Sequence, residues 1–183
     1  MKRQIQDYLI LFLPVGLIII LDQLTKSWVR SNLALGQSTG PEWLLPYVRI
    51  VHWYNTGVAF GMFQGIGKFF IILAIIISIA IIFYFPRVPR QDWALRIALI
   101  MQMAGALGNL IDRVTVGHVT DFIAIGNFPV WNVADASITV GVGVLILGIW
   151  LQECREKRNK TAIESGQSET SSNISKTGEE GTS

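Results

Sequence analysis

The feature that most constrains the fold of this 183-residue chain is the grouping of its apolar residues into four long blocks. A helix needs about 20 apolar residues to cross the hydrocarbon core of a bilayer, which is about 30 Å thick. The blocks predict spans at about 8–28, 69–85, 93–111 and 133–151. A mean hydropathy of +0.45, with 51% hydrophobic and 15% charged residues, argues against a soluble domain. We therefore predict an all-α polytopic membrane protein with four transmembrane helices.

Composition argues against several other classes of function. The net charge of +2 gives no sign of a nucleic-acid partner, and none is expected. The single cysteine, Cys154, excludes an intrachain disulfide and argues against a cysteine-based metal site. The two histidines, His52 and His118, are not at the spacing of metal ligands. We therefore expect neither a metal nor a cofactor.

Basic residues predict the orientation of the helices, because short cytoplasmic loops carry an excess of Lys and Arg. One side of the four-span arrangement carries eight such residues and the other carries five. The side with eight includes both termini, which we predict to be cytoplasmic. A cleaved signal peptide is a competing interpretation of the N-terminal block. The stretch from Asp22 to Lys26 does not resemble a small-residue cleavage site, which argues against it.

The segment between the first two spans, about 29–68, is predicted to form a small extracytoplasmic β structure. Its run YVRIVHWY is rich in β-branched and aromatic residues, which favours a strand, and the following NTGVAFG is typical of a turn and a return strand. The aromatic residues suit a membrane interface. Residues 153–183 are polar and lack aromatics. We therefore predict a membrane domain over 1–152 and a disordered cytoplasmic tail over 153–183.

Polar residues collect at one end of the predicted helices. With the orientation above, Asp22 and Lys26 lie at the outer end of the first helix, and Asn109 and Asp112 lie at the outer end of the third. Asp135 lies at the outer start of the fourth. Ionisable groups at such a depth are costly, so they usually pair or take part in function. Asp22 and Lys26 are four residues apart, which predicts an ion pair. All membrane-adjacent carboxylates are thus expected at this end.

Asp121 precedes Asp135 by 14 residues, on a loop short enough to fold back over the start of the fourth helix. Two carboxylates that lie close together cannot both ionise easily, so they share a proton. Such a pair can hydrolyse a bond: one carboxylate takes a proton from water and the other protonates the reacting carbonyl. The spacing leaves plainer roles open. Asp135 could be a helix N-cap, and Asn109 with Arg113 could belong to an interhelical hydrogen-bond network.

Four sequence blocks carry a resemblance to a known family. They are LDQLTK (21–26), NTGVAFG (55–61), AGALGNLIDRVTVGHVTDFI (104–123) and FPVWNVADASI (128–138). Together with the four spans, they closely resemble lipoprotein signal peptidase (signal peptidase II), the bacterial aspartyl peptidase family of lipoprotein maturation. The resemblance covers about residues 5–152, and the tail lies outside it.

The resemblance implies a metal-independent aspartic endopeptidase of the bacterial cytoplasmic (inner) membrane. Its implied substrates are prolipoproteins that carry a diacylglyceryl group on a cysteine, and the implied cut falls just before that cysteine. Asp121 and Asp135 match the catalytic dyad of the family. The positions that match its substrate-binding or site-supporting residues are Asn109, Asp112, Arg113, Asn132, Asp22, Lys26, Asn55, Gly57 and Ala59.

Two other functions stay open on the sequence alone. A small proton- or ion-coupled transporter could use Asp22, Asp112 and Asp135 as a relay, although transporter sites usually lie near the bilayer midplane. A non-catalytic assembly subunit would use the same polar residues only to hold its helices together. The peptidase interpretation places the active site near the outer face, in contact with membrane lipid, in a protein that we expect to be monomeric.

Overall fold

The structure, a computed structural model, describes residues 2–57 and 67–179, with side chains over 3–57 and 67–158. Four of the helices in these ranges are long and apolar enough to cross a membrane. They are α1 (Lys2–Asn32), α2 (Gly67–Tyr84), α3 (Trp93–Thr115) and α4 (Val133–Glu179). The predicted four-span architecture is therefore confirmed. A short 3₁₀ helix, Phe85–Arg87, follows α2.

The first helix is longer than the predicted span of 8–28. It begins at Lys2 and continues to Asn32, with Pro14 inside it. The predicted span took in the apolar block and the polar residues at its outer end, Asp22 and Lys26, whereas in the structure the polar residues before the block are helical as well. One of them, Asp7, is buried against the start of α3. A side chain with a partner inside the protein does not need to leave the helix for water.

The chain divides into two compact units within α4. The first unit, Met1–Leu145, holds α1 to α3 and the beginning of α4, and the second is Ile146–Ser183. The predicted disorder of 153–183 differs from the structure, in which helix continues to Glu179 and 180–183 lie outside the described residues. The segment from Glu153 onward contains no proline and starts with several strong helix formers, so nothing local stops the helix. The domain boundary at 152 and the cytoplasmic location stay predictions.

Three strands form one antiparallel sheet in the order β1 (Ser38–Thr39), β2 (Val48–Asn55) and β3 (Val119–Ile125). The small β structure and its strand over YVRIVHWY are confirmed, whereas the return strand predicted within NTGVAFG falls largely on 58–61, outside the described residues. The connection between α3 and α4 was predicted to be a loop, and this was wrong. It forms β3, which places Asp121 opposite Trp53 and Val119 opposite Asn55. Side chains on both faces of β3 are buried, because this strand contacts the helices and also pairs with β2.

Two apolar clusters hold these elements in place. The first joins α1, α2 and α3 through Leu11, Ile81 and Met103, each at most 5% exposed. The second, Val29, Leu33 and Phe122, joins the end of α1 to β3. Many large apolar side chains point outward instead, including Leu13 and Leu17, each 69% exposed. An apolar outer surface suits lipid, whereas the buried contacts between α1 and β3 fix the sheet at one end of the helices.

A buried ion pair lies at the opposite end of the helices. Asp7 of α1 accepts a 2.9 Å bond from Arg96 of α3, and Arg96 also donates to the Val88 carbonyl over 3.0 Å. The Arg96 guanidinium lies 4.2 Å from the centroid of the Phe85 ring. We call Asp7 and Arg96 the basal ion pair. Its presence corrects the expectation that all membrane-adjacent carboxylates gather at the other end.

Candidate active site

The predicted site residues come from five elements, or lie directly beside them, and these elements meet at one end of the helices. Asp22 and Lys26 lie on α1, and Asn55 ends β2. The end of α3 and the start of α4 supply the rest, together with Asp121 on β3. Of the predicted residues, Ala59 lies outside the described residues. Hydrogen bonds and ion pairs connect the others, which are Asp22, Lys26, Asn55, Gly57, Asn109, Asp112, Arg113, Asp121, Asn132 and Asp135.

A fully buried lysine forms the centre of the cluster. The Lys26 ammonium lies 2.9 Å from an Asp22 carboxylate oxygen and 3.4 Å from one of Asp112, and all three side chains are 0% exposed. This confirms the ion pair predicted within α1 and adds Asp112 from α3. A buried charge is costly without a partner, so these three residues stabilise one another. Lys26 also donates to Asn109 Oδ1 over 3.0 Å.

Asp22 also holds the start of α4. Its Oδ1 accepts the backbone N–H of Ala134 over 2.9 Å, so a carboxylate from α1 satisfies an N–H group in the first turn of another helix. The close approach depends on Gly108, because a Cβ there would lie 2.8 Å from the other Asp22 oxygen. A Cβ at Gly105 would likewise collide with the Ala134 carbonyl and the Ile138 side chain. The small residues of α3 thereby allow α1 and α4 to approach it.

Two asparagine amides connect Asp121 to Asp135. Asn109 donates from Nδ2 to Asp135 Oδ1 over 2.8 Å, and Asn132 donates from Nδ2 to Asp121 Oδ1 over 2.6 Å. Asn132 Nδ2 also lies 3.2 Å from Asn109 Oδ1, which joins the two amides. An ammonium can only donate, so Lys26 requires Asn109 to turn its oxygen inward and its NH₂ towards Asp135. The lysine therefore fixes which groups face the two carboxylates.

We call Asp121 and Asp135 the carboxylate pair. Asp121 is 1% exposed and accepts a second bond at Oδ2, 2.8 Å from Asn55 Nδ2. Burial, and then the neighbouring Asp135 carboxylate, raise the pKa of Asp121 to about 7. Asn132 is the N-cap of α4: its Oδ1 accepts the Asp135 N–H over 3.0 Å, and Asp135 Oδ2 accepts the Asn132 N–H over 3.3 Å in return. The N-cap interpretation of Asp135 was therefore wrong, because Asn132 occupies that position and Asp135 lies three residues further on, inside the first turn.

A cavity of about 710 Å³ opens beside the carboxylate pair. Asp135 and Asn109 lie in its wall, as do Asn55 and Arg113. Most of the remaining lining is apolar and comes from α2, from α4 and from the segment after β3, for example Phe70, Leu73, Ile77, Phe128, Trp131 and Ile138. A mostly apolar cavity with a few converging polar groups is the usual form of a ligand site.

Arg113 connects the cavity wall to the segment after β2. It donates to the Gly57 carbonyl over 3.1 Å, and its guanidinium lies 5.1 Å from the centroid of the Phe70 ring of α2. Gly57 itself donates its N–H to Asn55 Oδ1 over 3.0 Å. That bond leaves Asn55 Nδ2 to donate to Asp121. The segment at 55–57 is therefore held against both the carboxylate pair and the cavity.

Sequence reasoning missed three residues of the cluster. Gln23 donates to Asp112 Oδ1 over 3.3 Å and to the Gly108 carbonyl over 3.1 Å. Arg30 and Thr120 also contact Asp112, over 3.4 and 2.9 Å. A signal for Arg30 existed, because it follows Asp22 and Lys26 at the four-residue spacing of one helix face. For Thr120 the strand itself had to be recognised first.

The arrangement of potential metal-binding side chains is a further feature of the site. In the two stretches that the structure describes, no group of three or more His, Cys, Asp or Glu side chains is arranged to hold a metal ion. The site is instead built from carboxylates, amides and one buried ammonium.

Comparison with known proteins shows what the chain is similar to. A family model described as signal peptidase (SPase) II matches residues 15–151. The lipoprotein signal peptidase of Dehalococcoides mccartyi is 43% identical over 146 residues, which cover 77% of this chain and 89% of that relative. The proteins of the same name in Shouchella clausii and Staphylococcus aureus are 40% and 35% identical, covering 79% and 78% of this chain and 96% and 88% of theirs.

A solved structure has the same fold. It is described as a bacterial membrane enzyme, obtained by the in meso method at 2.3 Å resolution. It matches with a TM-score of 0.72 and 34% sequence identity, and the match covers 78% of this chain and 88% of that chain.

Proposed function

This chain belongs to the signal peptidase II family, and from that membership we propose how it acts as a lipoprotein signal peptidase of the bacterial inner membrane. Its substrates are prolipoproteins that carry a diacylglyceryl group, and it cuts just before the lipidated cysteine. The enzyme is an aspartic endopeptidase whose carboxylate pair works without a metal.

The observation that carries the mechanism is the connection of Asp121 to Asp135 through the amides of Asn109 and Asn132. Both carboxylates are held by neutral donors rather than by direct bonds to Lys26, so neither needs a permanent charge. With a pKa of about 7 at Asp121, the pair can hold one proton near neutral pH. The proton belongs to the pair as a unit, because the two groups titrate together.

The proposed reaction uses that single proton. The ionised carboxylate takes a proton from water, whose oxygen attacks the scissile carbonyl carbon, while the protonated carboxylate gives its proton to the carbonyl oxygen. As the gem-diol intermediate collapses, the C–N bond breaks, the leaving amine takes the proton from one carboxylate, and a hydroxyl of the intermediate gives its proton to the other carboxylate. The pair then again holds one proton. Asp135 lies in the cavity wall, and the amides of Asn109 and Asn132 connect Asp121 to it, which supports the action of both carboxylates on one bound water and carbonyl.

The apolar cavity supports the proposed substrate. A diacylglyceryl group and a hydrophobic signal peptide both require an apolar site that is open towards lipid. Asn55, Asn109 and Arg113 provide polar groups in its wall for the peptide backbone near the cut. Asp22, Lys26, Asp112 and Asn132 hold the site in shape. Gly57 helps to hold Arg113. The role of Ala59 in binding substrate or supporting the site stays a prediction.

The proposed position in the membrane follows from the same arrangement. With both termini cytoplasmic, the carboxylate pair lies near the outer face, where the acyl chains of a lipidated substrate would hold the scissile bond. The enzyme acts as a monomer, because all groups named in the mechanism come from one chain.

The test is cleavage by the purified full-length protein in detergent, with and without a chelator. The substrates are one prolipoprotein in diacylglyceryl-modified and unmodified forms, and mass spectrometry locates the cut. We expect cleavage of the modified form only, just before the lipidated cysteine, at the same rate with chelator. Equal cleavage of the unmodified form, or loss of activity with chelator, would overturn the substrate or the metal-independent mechanism respectively.

A further inference from the structure

A closed ring of contacts lies on the strand that carries Asp121. The backbone N–H of Thr120 donates to Asp112 Oδ2 over 2.9 Å. Arg30 donates from Nη1 to the Thr120 hydroxyl over 3.0 Å and to Asp112 Oδ1 over 3.4 Å. The three residues come from α1, α3 and β3. Thr120 and Asp112 are 0% exposed, and the Arg30 side chain is 26% exposed.

Strand geometry transmits this ring to the next residue. Successive side chains of a strand point to opposite faces, so anchoring Thr120 on one face directs Asp121 to the other. The register agrees: Thr120 lies opposite Tyr54, whereas Asp121 lies opposite Trp53. On its own face Asp121 accepts bonds from Asn55 and Asn132. The angle of β3 about its own axis therefore determines how the Asp121 carboxylate meets these amides.

Arg30 provides a contact that the rest of the cluster does not duplicate. Asp112 already has the Lys26 ammonium 3.4 Å away, so its charge has a second cationic partner. Within the part of the chain that the structure describes, Arg30 is the side chain that hydrogen-bonds the Thr120 hydroxyl. Loss of Arg30 would leave the Asp112–Thr120 backbone bond in place while freeing the side chain of Thr120. A graded loss of alignment is expected, not a loss of the fold.

We propose that Arg30 and Thr120 are positioning residues, which fix the angle of β3 and thereby hold the Asp121 carboxylate in register with Asp135. Neither residue lies in the cavity wall, and both act through Asp112 and the strand. The proposal rests on the proposed function, because it assigns a purpose to the alignment of the carboxylate pair. It concerns turnover rather than substrate binding, since the cavity is lined by other residues.

The test measures kcat and KM for Thr120→Val and Arg30→Met with the diacylglyceryl-modified substrate. A displacement of a reacting group by a fraction of an ångström to about 1 Å lowers rates by about 10- to 100-fold, so we expect kcat to fall about 10-fold and KM to change less than about 2-fold. Thr120→Ser keeps the hydroxyl and should retain activity near that of the wild type. Thr39→Val and Arg49→Met are matched controls in the same sheet that leave the ring intact.

The double variant Arg30→Met/Thr120→Val distinguishes one ring from two separate effects. If the two residues act through the same contact, the activity of the double variant is no lower than that of the less active single variant. Unchanged kcat in Thr120→Val, or single losses that multiply, would overturn the proposal. Should Arg30→Met fail to fold, the comparison of Thr120→Val with Thr120→Ser decides by itself. Loss of the proposed function would be seen separately, as wild-type protein that cleaves nothing.

Discussion

Buried carboxylates lie at both ends of the helices, but their partners differ. At one end Asp7 is bonded directly to Arg96, 2.9 Å away, and Arg96 is further held by Val88 and Phe85. At the other end the carboxylate pair accepts side-chain hydrogen bonds from the amides of Asn55, Asn109 and Asn132. A cationic partner favours the ionised form, whereas a neutral donor leaves both forms accessible. Burial alone therefore does not predict chemistry, and the partner decides it.

The largest expected effect follows from removing a member of the carboxylate pair. Asp121→Asn and Asp135→Asn should each lower turnover by about 10³-fold, within the range of general acid–base catalysis. Asp7→Asn, the matched change in the basal ion pair, should leave the turnover of folded protein within about 2-fold, because Asp7 lies at the far end of α1. Initial rates at equal concentrations of folded protein test this. Equal losses in all three variants would remove the distinction between the two ends.

A second prediction concerns removal of the buried cation at each end of the helices. Lys26→Met leaves Asp22 and Asp112 without their ammonium, and Arg96→Met leaves Asp7 with only the more exposed Arg90 guanidinium, 3.5 Å away. Breaking a buried ion pair typically costs about 3–5 kcal/mol, so both variants should melt at lower temperature. Turnover should separate them, because Lys26 also orients Asn109 towards Asp135. We expect a lower kcat for folded Lys26→Met and an unchanged kcat for folded Arg96→Met. Unchanged kcat in both would argue against the orienting role.

Sequence reasoning recovered the part of this comparison that depends on local pattern. Long apolar blocks predict the spans whatever the tertiary contacts are, and the Asp22–Lys26 pair follows from spacing within one helix. The basal ion pair was missed because Asp7 and Arg96 lie on different helices, far apart in sequence. The segment VTDFIAI was taken for a loop, since buried polar residues hide the alternation of a strand. Its partner β2 could only be assigned from the structure.

The pair residues themselves were predicted mainly by family resemblance. Composition and spacing suggested Asp121 and Asp135 but left an N-cap and a structural network open. The amides of Asn109 and Asn132 supply the link that spacing could not, because hydrogen-bond direction depends on Lys26 in three dimensions. Continuation of α4 beyond 152 was not predicted, since a polar composition was taken as disorder.

A third prediction uses the pH dependence of stability. Folding raises the pKa of Asp121 from its ordinary value of about 4 to about 7. Between these values the folded state holds the proton more tightly than the unfolded chain, so rising pH lowers the stability of the wild type. Asp121→Asn lacks this group. The melting temperature of the variant minus that of the wild type should therefore increase from about pH 4 to about pH 7. Asp7→Asn serves as the control, and a constant difference for Asp121→Asn would contradict the raised pKa.

The smallest expected effect concerns the residues after Lys160, which belong to neither group of buried carboxylates. Truncation after Lys160 removes a polar segment that lies beyond the family match, which ends at residue 151. Cleavage rates should equal those of the full chain, since no group named in the mechanism is removed. Rates measured in detergent and in vesicles test this. A loss of activity in both would show that the segment contributes to the enzyme.

The central claim is that Asp121 and Asp135 act as one catalytic unit, and a double-variant cycle tests it most directly. Single-turnover cleavage of the diacylglyceryl-modified substrate is measured for wild type, Asp121→Asn, Asp135→Asn and the double variant, each shown to be folded by a thermal melt. Residues that act as a unit give strongly non-additive losses. If the two carboxylates act as one unit, the double variant should be no slower than the slower of the two single variants. Near-normal cleavage by either single variant, or losses that multiply in the double variant, would contradict it.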